Sequence, residues 1–159
     1  MKKSVLQAVG WVVVGMALMG LIVWFAMPSM MLVKHKSSRS YEETITVLSE
    51  AIKSKQDWQV LNVNDYQKSA AAFGKLERVG SVTICNPRYA SRILANDTDR
   101  GVTAFMPLGI GVYEDKAGQV YVSQLNVGLL GMMFGGTIAD VMGSVGKELD
   151  GAVASVVAK

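Results

Sequence analysis

Phe105-Met106-Pro107-Leu108-Gly109-Ile110-Gly111-Val112-Tyr113-Glu114-Asp115-Lys116-Ala117-Gly118-Gln119-Val120-Tyr121-Val122-Ser123-Gln124-Leu125-Asn126 is the stretch that decides the fold. Two β-rich runs, Phe105 to Glu114 and Gln119 to Asn126, flank Asp115-Lys116-Ala117-Gly118. Turn residues of that kind between two such runs specify an antiparallel hairpin. Met106-Pro107 puts a bend or an edge irregularity into the first strand, because proline cannot donate to a ladder.

Upstream, Val79 to Cys85 reads as a further strand. Asn86-Pro87 follows as an N-cap and a first-turn proline, whose missing N–H costs nothing there. Tyr89, Ile93 and Leu94 give that helix a packing face, and Asn96 to Gly101 forms a polar loop after it. Asn64 or Asp65 caps an earlier helix running through Phe73, with Gly74 as its stop. Trp58, Val60 and Asn62 alternate as a short strand. Ser40 and Glu43 form a capping box ahead of Tyr41, Ile45, Leu48 and Ile52, which recur at helical spacing. Met30 to Lys36 makes the first extended strand. Helices and strands alternate and close with the hairpin. The expectation is a single α/β domain, α+β-like in character, with one sheet, packed helices and a final helix.

Downstream, seven of the 16 glycines lie between Gly128 and Gly151, beside Leu129, Leu130, Met132, Met133 and Phe134. Ile138, Val141, Met142, Val145, Leu149, Val153 and Val156 then form a near-heptad stripe, expected to pack on the sheet, and Asn126 is expected to cap that last helix. Asp140, Lys147, Glu148 and Asp150 are its polar complement. The uncharged run Val127 to Ala139 is too short to span a bilayer, but Leu129 to Gly136 suits contact with lipid or a partner chain.

Ser4 to Val33 contains no charged residue, and residues 34–159 carry 14 Lys/Arg against 13 Asp/Glu. That near-neutral balance offers no electrostatic footprint for phosphates and excludes nucleic acid as a partner. The apolar content excludes a disordered chain, and one long apolar run excludes a multi-span transporter. Val5 to Met27 makes a helix of roughly 35 Å, enough to cross a ~30 Å hydrocarbon core, with Pro28 expected at its end. The run is longer than a signal-peptide core, and Trp24-Phe25-Ala26-Met27-Pro28 is a poor cleavage site. Residues 1–33 are therefore read as an uncleaved anchor, and residues 34–159 as the soluble domain, including a Gly-rich helical region at 127–159. Lys2 and Lys3 nearly balance Lys34, Lys36 and Arg39, so charge alone does not orient the anchor. The short Met-Lys-Lys tail favours a bacterial inner membrane with the domain on the extracytoplasmic side. Gly10, Gly15 and Gly20 recur every five residues and make no small-xxx-small dimer face.

Cys85 and His35 are the only cysteine and histidine. No structural zinc cluster and no HExxH helix can be built. A triad would need His35, which sits in the basic stretch next to the membrane. Phosphate loops and EF-hand loops are absent. No catalytic set, metal site or cofactor is expected. Cys85 stands at a strand end, before a helix N-terminus and near Arg88, where dipole and cation both favour a thiolate. The competing reading is a small buried hydrophobe. Asn86 and Arg88 border the same N-terminus and suit a small anionic ligand, against simple capping. Met106 is a weak second soft ligand beside Cys85, against core packing.

The motifs Tyr41-Glu42-Glu43-Thr44, Trp58-Gln59-Val60, Ile84-Cys85-Asn86-Pro87-Arg88-Tyr89-Ala90, Met106-Pro107, Val112-Tyr113-Glu114, Gly118-Gln119-Val120-Tyr121-Val122-Ser123 and Leu125-Asn126 resemble the prokaryotic "domain of unknown function 302" family. The likeness runs from about Val33 to Asp150. It implies a small fold of one sheet covered by helices, frequent dimerisation, and no established reaction. Some relatives carry a cysteine after the Met-Pro; here Leu108 stands there, so a two-cysteine role is closed to this chain. The expected function is a membrane-anchored, non-enzymatic binding or accessory domain, dimeric, with the lipid bilayer and a membrane complex as its partners. A thiol-based redox or soft-metal role at Cys85 is the alternative.

Overall fold

The computed structural model describes residues 2–157, so the expected helical region through Lys159 reaches past the described residues. Twelve segments follow one another in the order expected of one sheet with packed helices. A first helix, α1 (Lys2–Met31), leads into β1 (Leu32–Lys36), α2 (Tyr41–Lys53) and β2 (Gln59–Asp65). A short α3 (Tyr66–Ser69), β3 (Val79–Cys85) and α4 (Pro87–Leu94) come next. A 3-10 segment, Asp97–Phe105, precedes β4 (Leu108–Glu114) and β5 (Val120–Leu125), and α5 (Val127–Phe134) and α6 (Gly136–Val153) end the domain.

The five strands form one sheet in the order β1-β5-β4-β3-β2, and every neighbouring pair is antiparallel. The domain is thus a single α+β unit. Its hairpin is β4–β5, with Val112 opposite Val122 and Tyr113 opposite Tyr121. Alternation along the strands puts Val82, Ile84, Ile110, Val112 and Val122 on one face, fully buried beneath α2, α4 and α6. The other face carries Ser81, Thr83, Gly109, Gly111 and Ser123, with Tyr113 and Tyr121 stacked at 5.3 Å. Asn64 bonds there to both Ser81 and Thr83, and only α3 leans on it, through Tyr66 to Ser81.

Local signals explain most of the element ends. Ser40 and Glu43 form both halves of the capping box of α2. Asn86 caps α4, with Pro87 in its first turn. Val141, Val145, Leu149, Val153 and Val156 of the final stripe are all buried.

Several boundaries differ from expectation. The first strand begins at Leu32, not Met30, because α1 runs on to Met31, and the polar loop expected at Asn96 to Gly101 is drawn into the 3-10 segment that Asn96 caps. Pro28 does not end α1, which continues to Met31. The proline removes one bond within the last turn, and Asn126 supplies the end, its N–H donating to the Met31 carbonyl at 2.8 Å. The helix expected through Phe73 stops at Ser69, because Phe73 is 91% exposed and offers no buried face to hold further turns. Gly74 accordingly follows a turn and is not a helix stop. The first hairpin strand begins at Leu108, since Phe105 closes the 3-10 segment and Met106-Pro107, a cis peptide, stands ahead of the ladder. Asn126 caps α5, and α6 begins separately at Gly136, after Gly135, both glycines at positive φ (51° and 70°).

A cleft between the last helix and the sheet edge

α6 lies across the covered face, and its two sides border different spaces. On the α4 side, Asn86 is buried and fully used. Its carboxamide oxygen accepts from the amides of Arg88 (3.1 Å) and Tyr89 (3.2 Å), and its nitrogen donates to the Gln56 carbonyl at 3.2 Å. The Arg88 guanidinium points outward, 3.7 Å from Asp57. Both residues border a polar hollow of about 380 Å³ with Arg92 and Glu148. Glu148 accepts from the Tyr89 hydroxyl at 2.6 Å and from the Trp58 indole. The bond to Glu148, then burial, pushes the Tyr89 phenol above its ordinary value. Cys85, half-buried, and Met106 face a separate apolar cavity of about 30 Å³, closed by Trp58, Val141 and Val145. The fold therefore brings Cys85 together with Met106, and Asn86 together with Arg88, on adjoining spaces.

On the other side, α6 stands off from β1 and β5 and leaves a cleft of about 670 Å³. Four elements shape it, with α5 supplying Val127 and Gly128. β1 supplies Val33 and His35; the end of β5 supplies Gln124 and Leu125, with Asn126 beyond it; and α6 supplies Lys147, Leu149, Asp150 and Val153. Gly143 and Gly146 add no side chain of their own to the α6 wall. Val127, Leu149 and Val153 are buried and make an apolar wall, while Lys147 and Asp150 stand exposed at the rim. A volume of this size lies within the range that takes a drug-sized molecule.

Gln124 is the unusual member. It is 5% exposed, and its amide nitrogen donates to an Asp150 carboxylate oxygen at 2.7 Å. That bond fixes the orientation of the carboxamide, because a carboxylate needs a donor. The oxygen is left buried with no partner among the described residues. An unmet buried acceptor costs about 1–3 kcal/mol. The same bond to Asp150 polarises the amide and makes its oxygen a better acceptor.

Sequence reasoning missed this cleft. His35 was set beside the membrane, and Lys147 and Asp150 on a wet helix face. One signal was available: Val120, Val122 and Gln124 share a strand face, so Gln124 breaks an inward apolar row. Among the described residues, no three His, Cys, Asp or Glu side chains gather as a metal site.

One antiparallel sheet under α2, α4 and α6, with this cleft at its β1 edge, can be compared with known proteins. The family model for "Domain of unknown function DUF302" matches residues 33–156. The chain belongs to the DUF302 family. In DUF302 terms, the matched region begins two residues after α1 ends and contains every strand but its first residue, together with the whole cleft except Val157. A solved relative, the uncharacterized conserved protein DUF302 from Bacillus stearothermophilus, superposes with a TM-score of 0.70. The identity is 22%, and the superposition covers 80% of this chain and 99% of that one. At that identity the likeness shows the DUF302 fold. No curated protein matches the sequence.

Proposed function

We propose that this DUF302 protein is a membrane-anchored, non-enzymatic binding domain that holds its cleft at a bilayer surface. The observation that carries the reading is the position of Asn126. Its main-chain N–H and its side-chain amide reach the Met31 and Met30 carbonyls (2.8 and 3.3 Å), at the end of α1. Its side-chain oxygen caps α5 through the Leu129 amide at 3.0 Å, and the same residue lines the cleft. One side chain thus joins an apolar helix, a surface helix and the ligand space.

α1 includes a 23-residue stretch, Val9–Met31, with a mean hydropathy of 2.2, long and apolar enough to cross a membrane. The Asn126 bonds hold α5 beside the end of α1, and eight helical residues reach only about 12 Å. Met132, Met133 and Phe134 are 73%, 62% and 51% exposed there. Apolar side chains displayed next to a span are suited to the acyl boundary. In this reading α5 lies in the interface, the domain sits outside the cytoplasm of a bacterial cell, and two copies associate through the uncovered sheet face.

The test is nitroxide depth measurement on the full chain in vesicles, in a Cys85→Ser background. Met133→Cys is expected to favour collisions with oxygen over a water-soluble nickel chelate, and Asn62→Cys on the far edge strand to show the reverse. Equal accessibility at both positions rejects the α5 contact. Release of the chain by alkaline carbonate rejects the anchor, and a single monomeric species in detergent sedimentation rejects the dimer.

The second reading, soft-metal or thiol chemistry, rests on Cys85 and Met106 sharing one cavity. It requires stoichiometric retention of Cu(I) by the native chain and its loss in Cys85→Ser. Retention that does not change with the substitution removes it.

A further inference from the structure

We infer that the cleft takes a neutral, apolar hydroxyl compound dissolved in the bilayer, a long-chain alcohol in the simplest case. The inference rests on the membrane-surface reading above and deepens it by naming the ligand's chemistry. Four observations converge. The Gln124 oxygen is a buried acceptor without a partner, so the missing group is a hydrogen-bond donor. The wall around it is apolar, formed by Val127, Leu149 and Val153. The rim carries one cation, Lys147, and one anion, Asp150, which together impose no net charge on what enters. Asn126 joins the cleft to the end of α1, where a membrane-soluble molecule would leave the lipid.

Each observation narrows the class. A carboxylate or phosphate brings only acceptors, and leaves the Gln124 oxygen facing another acceptor. An ammonium supplies a donor, but it carries a full charge into an apolar wall. A plain hydrocarbon fits the wall and leaves the acceptor unmet. A hydroxyl donates once to Gln124 and keeps its apolar body against the valines and leucine. The cleft volume of about 670 Å³ admits such a molecule.

The test uses the full chain in lipid nanodiscs. The probes are radiolabelled 1-dodecanol and dodecyl methyl ether, matched in chain and differing in the donor, with phenol supplied from water as a third arm. The native chain is expected to retain the alcohol about tenfold better than the ether, the scale set by an unmet buried acceptor. Gln124→Leu is expected to erase that preference while leaving apolar retention. Gly143→Leu projects a side chain into the cleft from a position where an added Cβ meets nothing within 4 Å, and is expected to abolish retention of both probes at a Tm no lower than that of the native chain. Equal retention of alcohol and ether by the native chain overturns the inference. So does full retention by a folded Gly143→Leu variant. Phenol binding without alcohol binding overturns the membrane-borne source.

Carbonate extraction of the same samples separates the two levels. A chain that stays in the membrane and shows no alcohol preference removes the ligand assignment and keeps the anchor. A chain that washes out removes the anchor and with it the bilayer as source, while the phenol arm with Gln124→Leu still decides whether the cleft recognises a hydroxyl.

Discussion

The two sides of α6 meet the same sheet in opposite ways. On one, Val141, Met142 and Val145 press against α4 and β3 and leave only about 30 Å³ in the apolar layer, beside the polar hollow that Glu148 borders. On the other, Leu149 and Val153 overhang β1 and β5 and leave about 670 Å³. The polar groups differ in the same direction. On the closed side Asn86 and Glu148 each satisfy two or more partners, whereas on the open side Gln124 keeps an oxygen unused. One amphipathic helix therefore serves as core on one side and as a wall on the other. What differs is the third element. α4 fills the space beside β3, while the edge strand β1 has no helix of that kind beside it and is preceded by α1.

The sharpest way to break this contrast is one substitution made on both sides. Val145 and Val153 are both buried on α6, at 4% and 2% exposure. Val145→Ala enlarges a closed cavity and should cost about 2–3 kcal/mol, the transfer of two methyl groups plus a cavity contribution. Val153→Ala widens a space that already exists, so only the transfer part, about 1.5 kcal/mol, should appear. Urea unfolding of both variants decides it. Equal costs would mean that the cleft side is packed as tightly as the α4 side.

Glycines give a second, smaller contrast, this time in sign. Gly131 on α5 touches α6 so closely that an added Cβ would lie 2.5 Å from the Met142 Cβ. Gly131→Ala must push the two helices apart and should destabilise by about 1–2 kcal/mol. Gly143, inside α6, faces open space, so Gly143→Ala should stabilise by about 0.5–1 kcal/mol through helix propensity alone. Thermal unfolding of the pair should move Tm in opposite directions. A loss of Tm in both would show that the Gly143 wall is filled.

The same contrast explains what could be read from the chain. Elements with a local signal were legible: the Ser40–Glu43 box, the Asn86-Pro87 start of α4, the turn at Gly118 with φ 81°, and the buried stripe of α6. The expectation of one sheet with packed helices rests on these. Strand order was not legible, because β1 pairs with β5 across most of the chain and no local pattern encodes that partner. The cleft depends on that pairing, which sets His35 and Gln124 against α6. Residues singled out by chemical type, Cys85 and Met106, fell on the closed side, where side chains fill the space. The cleft is instead marked by a polar residue in an apolar row, and a single glutamine is a weak mark until its partners are known. The α3 region failed for another reason. Asp65 caps a helix as expected, but a cap without a buried face supports only one turn.

The gentlest probe of the contrast is alkaline titration of the closed side. Tyr89 holds its proton to higher pH in the folded chain because it donates to Glu148. Unfolded phenols titrate at about pH 10. Below that pH both states carry the proton and the stabilisation is complete. Above it the unfolded chain releases its proton first, so stability falls as pH rises toward and through the raised value of the folded state. Tyr41 and Tyr121 are also pushed up, each chiefly by burial, so several phenols share the alkaline loss. Tyr89→Phe should therefore make the fall of Tm above pH 10 shallower without flattening it. Gln124→Leu, on the cleft side, should leave that slope as it is, because its carboxamide does not titrate. An unchanged slope in Tyr89→Phe would mean that the Tyr89–Glu148 bond does not hold the α4 side together in solution, and the distinction between a satisfied and an unsatisfied side of α6 would lose its polar component.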